Sequence, residues 1–347
     1  MIDFRYHIVS LISVFLALAV GIALGAGPLK ETIGDTLTGQ VEQLRSEKDA
    51  LRSELDRTAD ELGHAASYID AAGPQLLEGA LADRRVAVVS LGEVGESVRT
   101  GIDDRLAQSG ATVTAHVTLT ESWTDPDLDS FRQALGGQLV GYLNPAVPDD
   151  AGVQDELAAA LVQGLVAADP AAPDALASDS AFLLELLSGG DYPLVTIQDT
   201  VETAADAVVV IAPTERATGD AASADPDQAE ETAAAWIAVL SAAQERSQGA
   251  VLADGPPGSD SLTSVVLGDD ALADALTTVS GTQVVTGQVS TPLALAARIA
   301  GNNGHYGFGE GETVLPEAVS LPPVDRTPTA DAGAPAAGDG GTEGTQG

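Results

Sequence analysis

Residue types able to hold a metal or a reacting group are few. The chain has four histidines, His7, His64, His116 and His305, no cysteine, and one methionine, Met1. Without cysteine, thiolate metal sites and disulfides are both excluded. The histidines are scattered and no two have chelating spacing. His64 reads as a solvated residue of a helical stalk. His116 falls in an alternating strand and reads as structural rather than as a ligand. Asp125-Pro126-Asp127-Leu128-Asp129 resembles the opening of a calcium loop, but Ser130 stands where the invariant glycine belongs and Gly136 where the bidentate glutamate belongs.

Leu91-Gly92-Glu93-Val94-Gly95 has neither the G-x-G-x-x-G spacing nor the Lys-Ser/Thr pair of a phosphate loop. A small ligand beside Gly92 to Ser97 is the weaker reading, kept because parallel sheets bind at the carboxyl ends of their strands. G-x-S-x-G and H-E-x-x-H are absent. The glycine-rich run Gly301 to Gly309, which carries His305, Tyr306 and Phe308, reads first as a loop closing a domain and second as a binding loop. No catalytic or cofactor-binding residue is assigned, metal ligands are unknown, and the chain is expected not to be an enzyme. An enzyme would need carboxylates converging at a strand-end cleft.

The element that must position everything else is Ile8 to Gly27, twenty residues without a charge, eleven of them Leu, Ile, Val or Phe. At about 1.5 Å per residue such a helix spans roughly 30 Å, the thickness of a bilayer core. A cleaved signal peptide is the alternative, with Ala23-Leu24-Gly25 as its cleavage site. Small residues four apart (Ala17, Gly21, Gly25 and Ala19, Ala23, Gly27) permit close helix–helix approach in lipid. Arg5 precedes the helix, and Lys30 after it is followed at once by Glu31. A signal-anchor reading places the N-terminus in the cytoplasm and the bulk of the chain outside.

With 15 basic and 52 acidic residues the net charge is −37. Nucleic acid and anionic headgroups would be repelled by the soluble part, and the acidity reads as a solubilising surface rather than a specific cation site. Aromatics are only 3%, so a core must rest on Val, Leu, Ile and Ala, and at 44% apolar the chain is too apolar to be disordered throughout.

Beyond Gly27-Pro28, Val41, Leu44, Leu51, Leu55 and Leu62 fall on alternate three- and four-residue steps, with Leu37 preceding them. With Val41 at heptad position a, Leu44 and Leu51 are d, Leu55 and Leu62 are a, and Lys48 and Thr58 interrupt the seam. Arg45 and Arg52 take e and Glu47 and Glu54 take g, so Glu47 could pair with Arg52 of a parallel copy. A homo-oligomeric coiled coil, helped by a shared membrane helix, is favoured over a lone amphipathic helix lying on its own domain. Gly73-Pro74 ends the stalk.

Val86 to Leu91, a glycine turn, a helix over 96–109 and a strand over 111–119 make a βαβ unit and imply a parallel sheet. Further strands are expected at 194–197, 207–211, 250–253, 262–267 and 283–286. Further helices are expected at 127–135, 152–167, 178–187, 226–244, 269–277 and 291–300. The expected fold class is therefore α/β: a transmembrane anchor (1–28), a coiled-coil stalk (29–72), a mostly parallel, Rossmann-like α/β domain (83–310) and a disordered C-terminal tail (321–347).

The segments Val9 to Gly25, Leu44 to Lys48 and Leu293 to Gly309 together resemble the actinobacterial copper-transport family, the MctB-like proteins. The resemblance runs in outline from the first residue to about 310. It implies a cell-envelope protein of copper efflux or homeostasis, described in mycobacteria as a pore-forming outer-membrane protein, with copper ions as its partner. It supplies no ligand residues. The architecture gives the other reading, a non-catalytic, membrane-anchored oligomeric scaffold with an extracytoplasmic α/β binding domain.

Overall fold

The computed structural model describes residues 4–26, 28–213, 226–258 and 261–328. The chain divides into two units, residues 1–65 and 66–347.

The first unit is helical. Helix α1 spans Phe4–Ala26. Its stretch Phe4–Gly25 is long and apolar enough to cross a membrane, and none of it is buried. Ser13 Oγ donates to the Val9 carbonyl at 2.8 Å, so this serine costs the helix little in lipid. Helix α2 spans Pro28–Leu77. On it Leu44, Leu51, Leu55 and Leu62 are 63–69% exposed, and Leu37 and Val41 are exposed too. Polar pairs decorate the same helix: Gln43 donates to Glu47 at 2.8 Å and Arg57 bridges Glu61 at 3.3 Å. At exposed i,i+4 spacing such a pair contributes only about 0.3–0.5 kcal/mol, so the seam is the feature left to explain.

The expected stop at Gly73-Pro74 is overrun by four residues, because α2 continues to Leu77 with Pro74 inside it. Within the second unit this last stretch is pinned from the side. Arg105, almost wholly buried, is bonded to the Asp70 carboxylate and donates to Gln108 at 2.8 Å. Gly73 leaves room for that guanidinium, since a Cβ there would lie 3.0 Å from Arg105 Nη1.

The second unit is an α/β domain. Its sheet contains β1 (Arg85–Ser90), β2 (Thr112–Leu119), β5 (Val195–Ile197), β6 (Ala207–Ile211), β7 (Ala250–Ala253), β8 (Thr278–Val279) and β9 (His305–Tyr306). The order is β5-β2-β1-β6-β7-β8-β9, parallel throughout except for the outer strand β5, which runs antiparallel to β2. The central strands are continuous apolar runs because both faces are covered. On one face Ala87, Val89, Val208 and Val210 meet α4 (Asp129–Leu139), α5 (Val153–Val166), α6 (Ser178–Ser188) and α7 (Pro226–Arg246). On the other, Val86, Val88, Val209 and Ile211 meet α3 (Glu96–Gln108), α10 (Val285–Ile299) and the end of α2. Helix α5 is buried at every residue from Leu157 to Leu165, consistent with an apolar surface all round.

Two local expectations are corrected. Residues 262–267 form a helix, α8 (Leu262–Leu267), rather than a strand, with α9 (Asp270–Ala275) close behind it: Ser261 caps α8 by accepting from the Ser264 N–H at 3.0 Å. Residues 283–286 are not a strand but lead into α10, and the strand lies earlier at Thr278–Val279. Here the first turn of α10 sits against a reverse turn, and Gly287 makes the fit possible, because a Cβ would fall 2.5 Å from the Gly281 carbonyl oxygen. Between α5 and α6 the chain forms a small antiparallel pair, β3 (Ala168–Asp169) with β4 (Ala172–Leu176).

The packed chain also runs beyond 310. Val319 and Leu321 join the apolar cluster on the α3/α10 face. Arg326 Nη2 bonds Asp206 at 2.5 Å at the start of β6, and the buried Arg84 donates to the Pro322 carbonyl at 3.2 Å. Burial lowers the pKa of Arg84, Asp206 opposes that, and Arg326 adds to it. The remainder of the expected tail, 329–347, lies outside the described residues.

Candidate functional site

In this strand order the chain leaves β1 toward β2 on one side and later places β6 on the other. The carboxyl ends of β1 and β6 therefore flank the switch point, where open α/β sheets bind ligands. The turn singled out in the sequence, Gly92 to Ser97, sits at that point. Leu91 N–H donates to the Ile211 carbonyl at 2.9 Å, and Gly92 faces the ring of Pro213. Helix α3 opens here with Gly95 at its N-cap and Glu96 in its first turn. A glutamate at a helix N-terminus satisfies the dipole itself and repels a phosphate, so this mouth is acidic rather than anion-binding.

The histidines are not brought together. His7 and His64 are exposed on α1 and α2. His116 and His305 lie on β2 and β9, five strands apart, about 24 Å at the usual strand spacing. The Nε2 of His116 lies 3.1 Å from both carboxylate oxygens of Asp103 on α3. In His305 both ring nitrogens are occupied: Nε2 donates to the Ala273 carbonyl at 3.1 Å, and Nδ1 accepts from Thr278 Oγ1 at 3.0 Å. A metal could reach His305 only by displacing one of these bonds. Among the described residues no group of three or more His, Asp or Glu side chains is placed to hold a metal ion.

Burial holds the His305 imidazole below its ordinary value of 6.5, against the opposing pull of the Ala273 carbonyl and Glu312. The consequence is a pH dependence of stability. Above pH 6.5 both folded and unfolded forms carry neutral imidazole. As the pH falls below 6.5 the unfolded chain takes up the proton first, so stability falls until the lowered folded value is passed. Urea melts at pH 7.5 and 5.5 should show a larger loss for the natural chain than for His305→Gln. Equal losses would mean that His305 is protonated as easily folded as unfolded.

The glycine-rich stretch closes the domain. Gly307 N–H donates to the Thr313 carbonyl at 2.9 Å, and Thr313 N–H to the His305 carbonyl at 2.7 Å. Two carboxylates not singled out in the sequence hold this corner. Glu312 Oε2 accepts from Ser280 Oγ at 2.7 Å and from Gly309 N–H at 2.5 Å. Asp254, buried at the end of β7, accepts from the N–H groups of Gly255 and Thr263, each at 2.7 Å. Neither sits in a motif: Asp254 was signalled only by its position directly after a strand, and Glu312 by nothing but the glycines around it.

Residues 1–316 match the family described as "Copper transport outer membrane protein, MctB". The chain belongs to the MctB family. Its relatives include proteins named copper transporter MctB from Mycobacterium tuberculosis and Mycobacterium bovis, each 28% identical over 319 residues, covering 90% of this chain and 98% of the relative. The namesake from Mycobacterium leprae is 28% identical over 326 residues, covering 91% and 99%. The match takes in both N-terminal helices and the α/β domain together. This MctB-family chain is membrane-associated, on the strength of that family and of its one apolar helix.

Proposed function

We propose that this chain serves copper efflux at the cell envelope as a non-enzymatic, membrane-anchored oligomeric scaffold. Its N-terminus lies in the cytoplasm and its α/β domain outside. The observation that carries the reading is the end-to-end match to proteins named copper transporters, over 98% or more of their length. How such a chain contributes follows from its parts. One helix cannot enclose an aqueous path, so any path needs several copies. The exposed leucines of α2 and the small residues of α1 give copies a means of association. The longest strand described has eight residues, short of the roughly 9–11 that a spanning β-strand needs. Both ring nitrogens of His305 are bonded internally, and among the described residues His116 has no two further His, Asp or Glu side chains placed with it to hold a metal ion, so copper passes by way of the assembly and its partners rather than through a site built on those imidazoles.

Two measurements test this. Expression of the full chain in a bacterium lacking its own copper exporter should lower cell copper several-fold, and unchanged cell copper would reject the efflux role. Calorimetric titration of the full chain in lipid nanodiscs with Cu(I) and with Cu(II) should show binding no tighter than that of calcium or magnesium. Tight saturable binding weakened by His116→Ala or His305→Ala would replace the scaffold with a direct copper site.

A further inference from the structure

The α/β domain holds most of the chain's few aromatic residues, and four of them form two pairs at its surface. Phe131 meets Tyr192 edge-on with ring centroids 6.0 Å apart, and Tyr142 meets Phe182 at 4.8 Å. Phe131 lies in the first turn of α4, and Tyr142 ends the 3₁₀ turn Val140–Tyr142 that extends it. Phe182 lies in the second turn of α6, and Tyr192 follows the end of that helix. The two helices therefore run antiparallel, with one aromatic pair bridging them at each end. Both pack on α5, which is buried from Leu157 to Leu165, so the bridges open outward. Tyr142 is 40% and Tyr192 52% exposed. Between Leu76 and Val265 no other large apolar side chain is exposed among the described residues.

Both tyrosines are held in place from behind. Gln163 on α5 donates from Nε2 to the Tyr142 carbonyl at 2.8 Å, and its Oε1 accepts from the Asn144 N–H at 2.7 Å. Beyond Tyr192, the Pro193 carbonyl accepts from Thr120 Oγ1 at 2.6 Å, and the Leu194 N–H donates to the Leu187 carbonyl at 2.8 Å. Exposed rings fixed in this way are preorganised for contact. The surface between them is neutral. The stripe of α4 that joins Phe131 to Tyr142 passes through Ala134 and Gln138, both exposed. On α6, Leu186 stands one turn beyond Phe182 and is half-buried, while Glu185 turns to the other side of the helix, toward Ile197 to Val201. From Gln133 to Pro148 the sequence carries no charge at all, in a chain of net charge −37. The separation of the two pairs follows from the run of α4 between residues 131 and 142, about 16 Å at a helical rise of about 1.5 Å per residue.

We propose that this face binds a neutral polysaccharide chain, whose sugar rings lie on Tyr142 and Tyr192 and whose hydroxyls bond the amide of Gln138 between them. The negative face of an aromatic ring attracts the polarised C–H bonds on the flat side of a sugar, and phenol and amide groups supply both donors and acceptors for its hydroxyls. The pairing of exposed rings with a charge-free surface selects this ligand. An anionic polymer is repelled by the net charge of −37, and a basic protein segment finds no carboxylate between the two pairs. A protein partner that binds through an apolar centre finds no exposed aliphatic side chain there to bury. Two ring platforms this far apart are spanned only by several linked sugars, so affinity rises with chain length until both are covered. The inference goes beyond copper handling and does not depend on it.

The test uses the full chain in phosphatidylcholine nanodiscs. The probes are neutral hexasaccharides of β-1,4-linked glucose, β-1,4-linked N-acetylglucosamine and α-1,4-linked glucose, each with the matching disaccharide. Calorimetric titration should show saturable binding of at least one hexasaccharide, about tenfold or more tighter than of its disaccharide. Tyr142→Ala and Tyr192→Ala should each remove that length preference and weaken hexasaccharide binding by about tenfold, while Tyr192→Phe, which keeps the ring face, should lose less than about threefold. Both positions are exposed, and an unchanged circular dichroism spectrum shows that the fold is kept. Tyr68→Ala, at an exposed tyrosine of α2 away from this face, should bind as the natural chain does. Failure of all three hexasaccharides to bind, equal affinity for hexasaccharide and disaccharide, or binding that survives both alanine substitutions would overturn the proposal. So would altered sedimentation of Tyr142→Ala with no saccharide present, because the face would then belong to a second copy of this chain.

Discussion

Replacing Leu51 and Leu55 by aspartate is expected to convert the full chain from an oligomer to a monomer and to abolish its effect on cell copper. Both residues lie on the exposed seam of α2, at 66% and 69% exposure. In a parallel dimer four leucines would leave the seam, at about 1.5 kcal/mol or more each. Association should therefore weaken by more than about a thousandfold, before the repulsion between the new carboxylates is counted. Sedimentation equilibrium in a density-matched detergent reads the change directly. Lys48→Leu supplies the opposite sign: it replaces the one charged residue at an a position and should tighten association. If the aspartate variant sediments as the natural chain does, the seam is not an interface and the oligomeric scaffold fails.

Trp123→Ala should be the most damaging single truncation in the α/β domain. Trp123 is wholly buried in the cluster formed by β1, β2 and helices α4 to α7, and it is the largest of the fully buried side chains. Truncating a buried tryptophan costs about 3–5 kcal/mol, a large share of the about 5–15 kcal/mol by which a domain is stable. The chain has only two tryptophans, so Trp236 remains as the fluorescent reporter. The urea midpoint should fall with an unchanged slope. A drop under about 1 kcal/mol would mean that the site collapses around the missing ring.

The elements that the sequence made legible share one property, a signal longer than a few residues. Ala207 to Ile211 is buried at all five positions, and its unbroken apolar run is what a strand covered on both faces must look like. The apolar α1 was legible for the same reason. Thr278–Val279 and His305–Tyr306 are two-residue strands with no periodicity to detect. At 262–267 the run Val265-Val266-Leu267 has strand composition, and the deciding residue is Ser261, whose cap was the helical signal. The candidate site was legible only as a location. Gly92 to Ser97 does lie at the switch point, but the bonds that occupy both nitrogens of His305 depend on residues distant in the chain.

The contact between Arg84 and Pro322 ties the start of β1 to the segment that returns after β9. Arg84 directly precedes β1, and Arg326, bonded to Asp206 at the foot of β6, keeps the returning chain beside the same two strands. The returning segment thus works as a clasp: losing residues 322–326 would take one bond from Arg84 and one from Asp206, at the feet of two adjacent central strands, without removing any strand of the sheet.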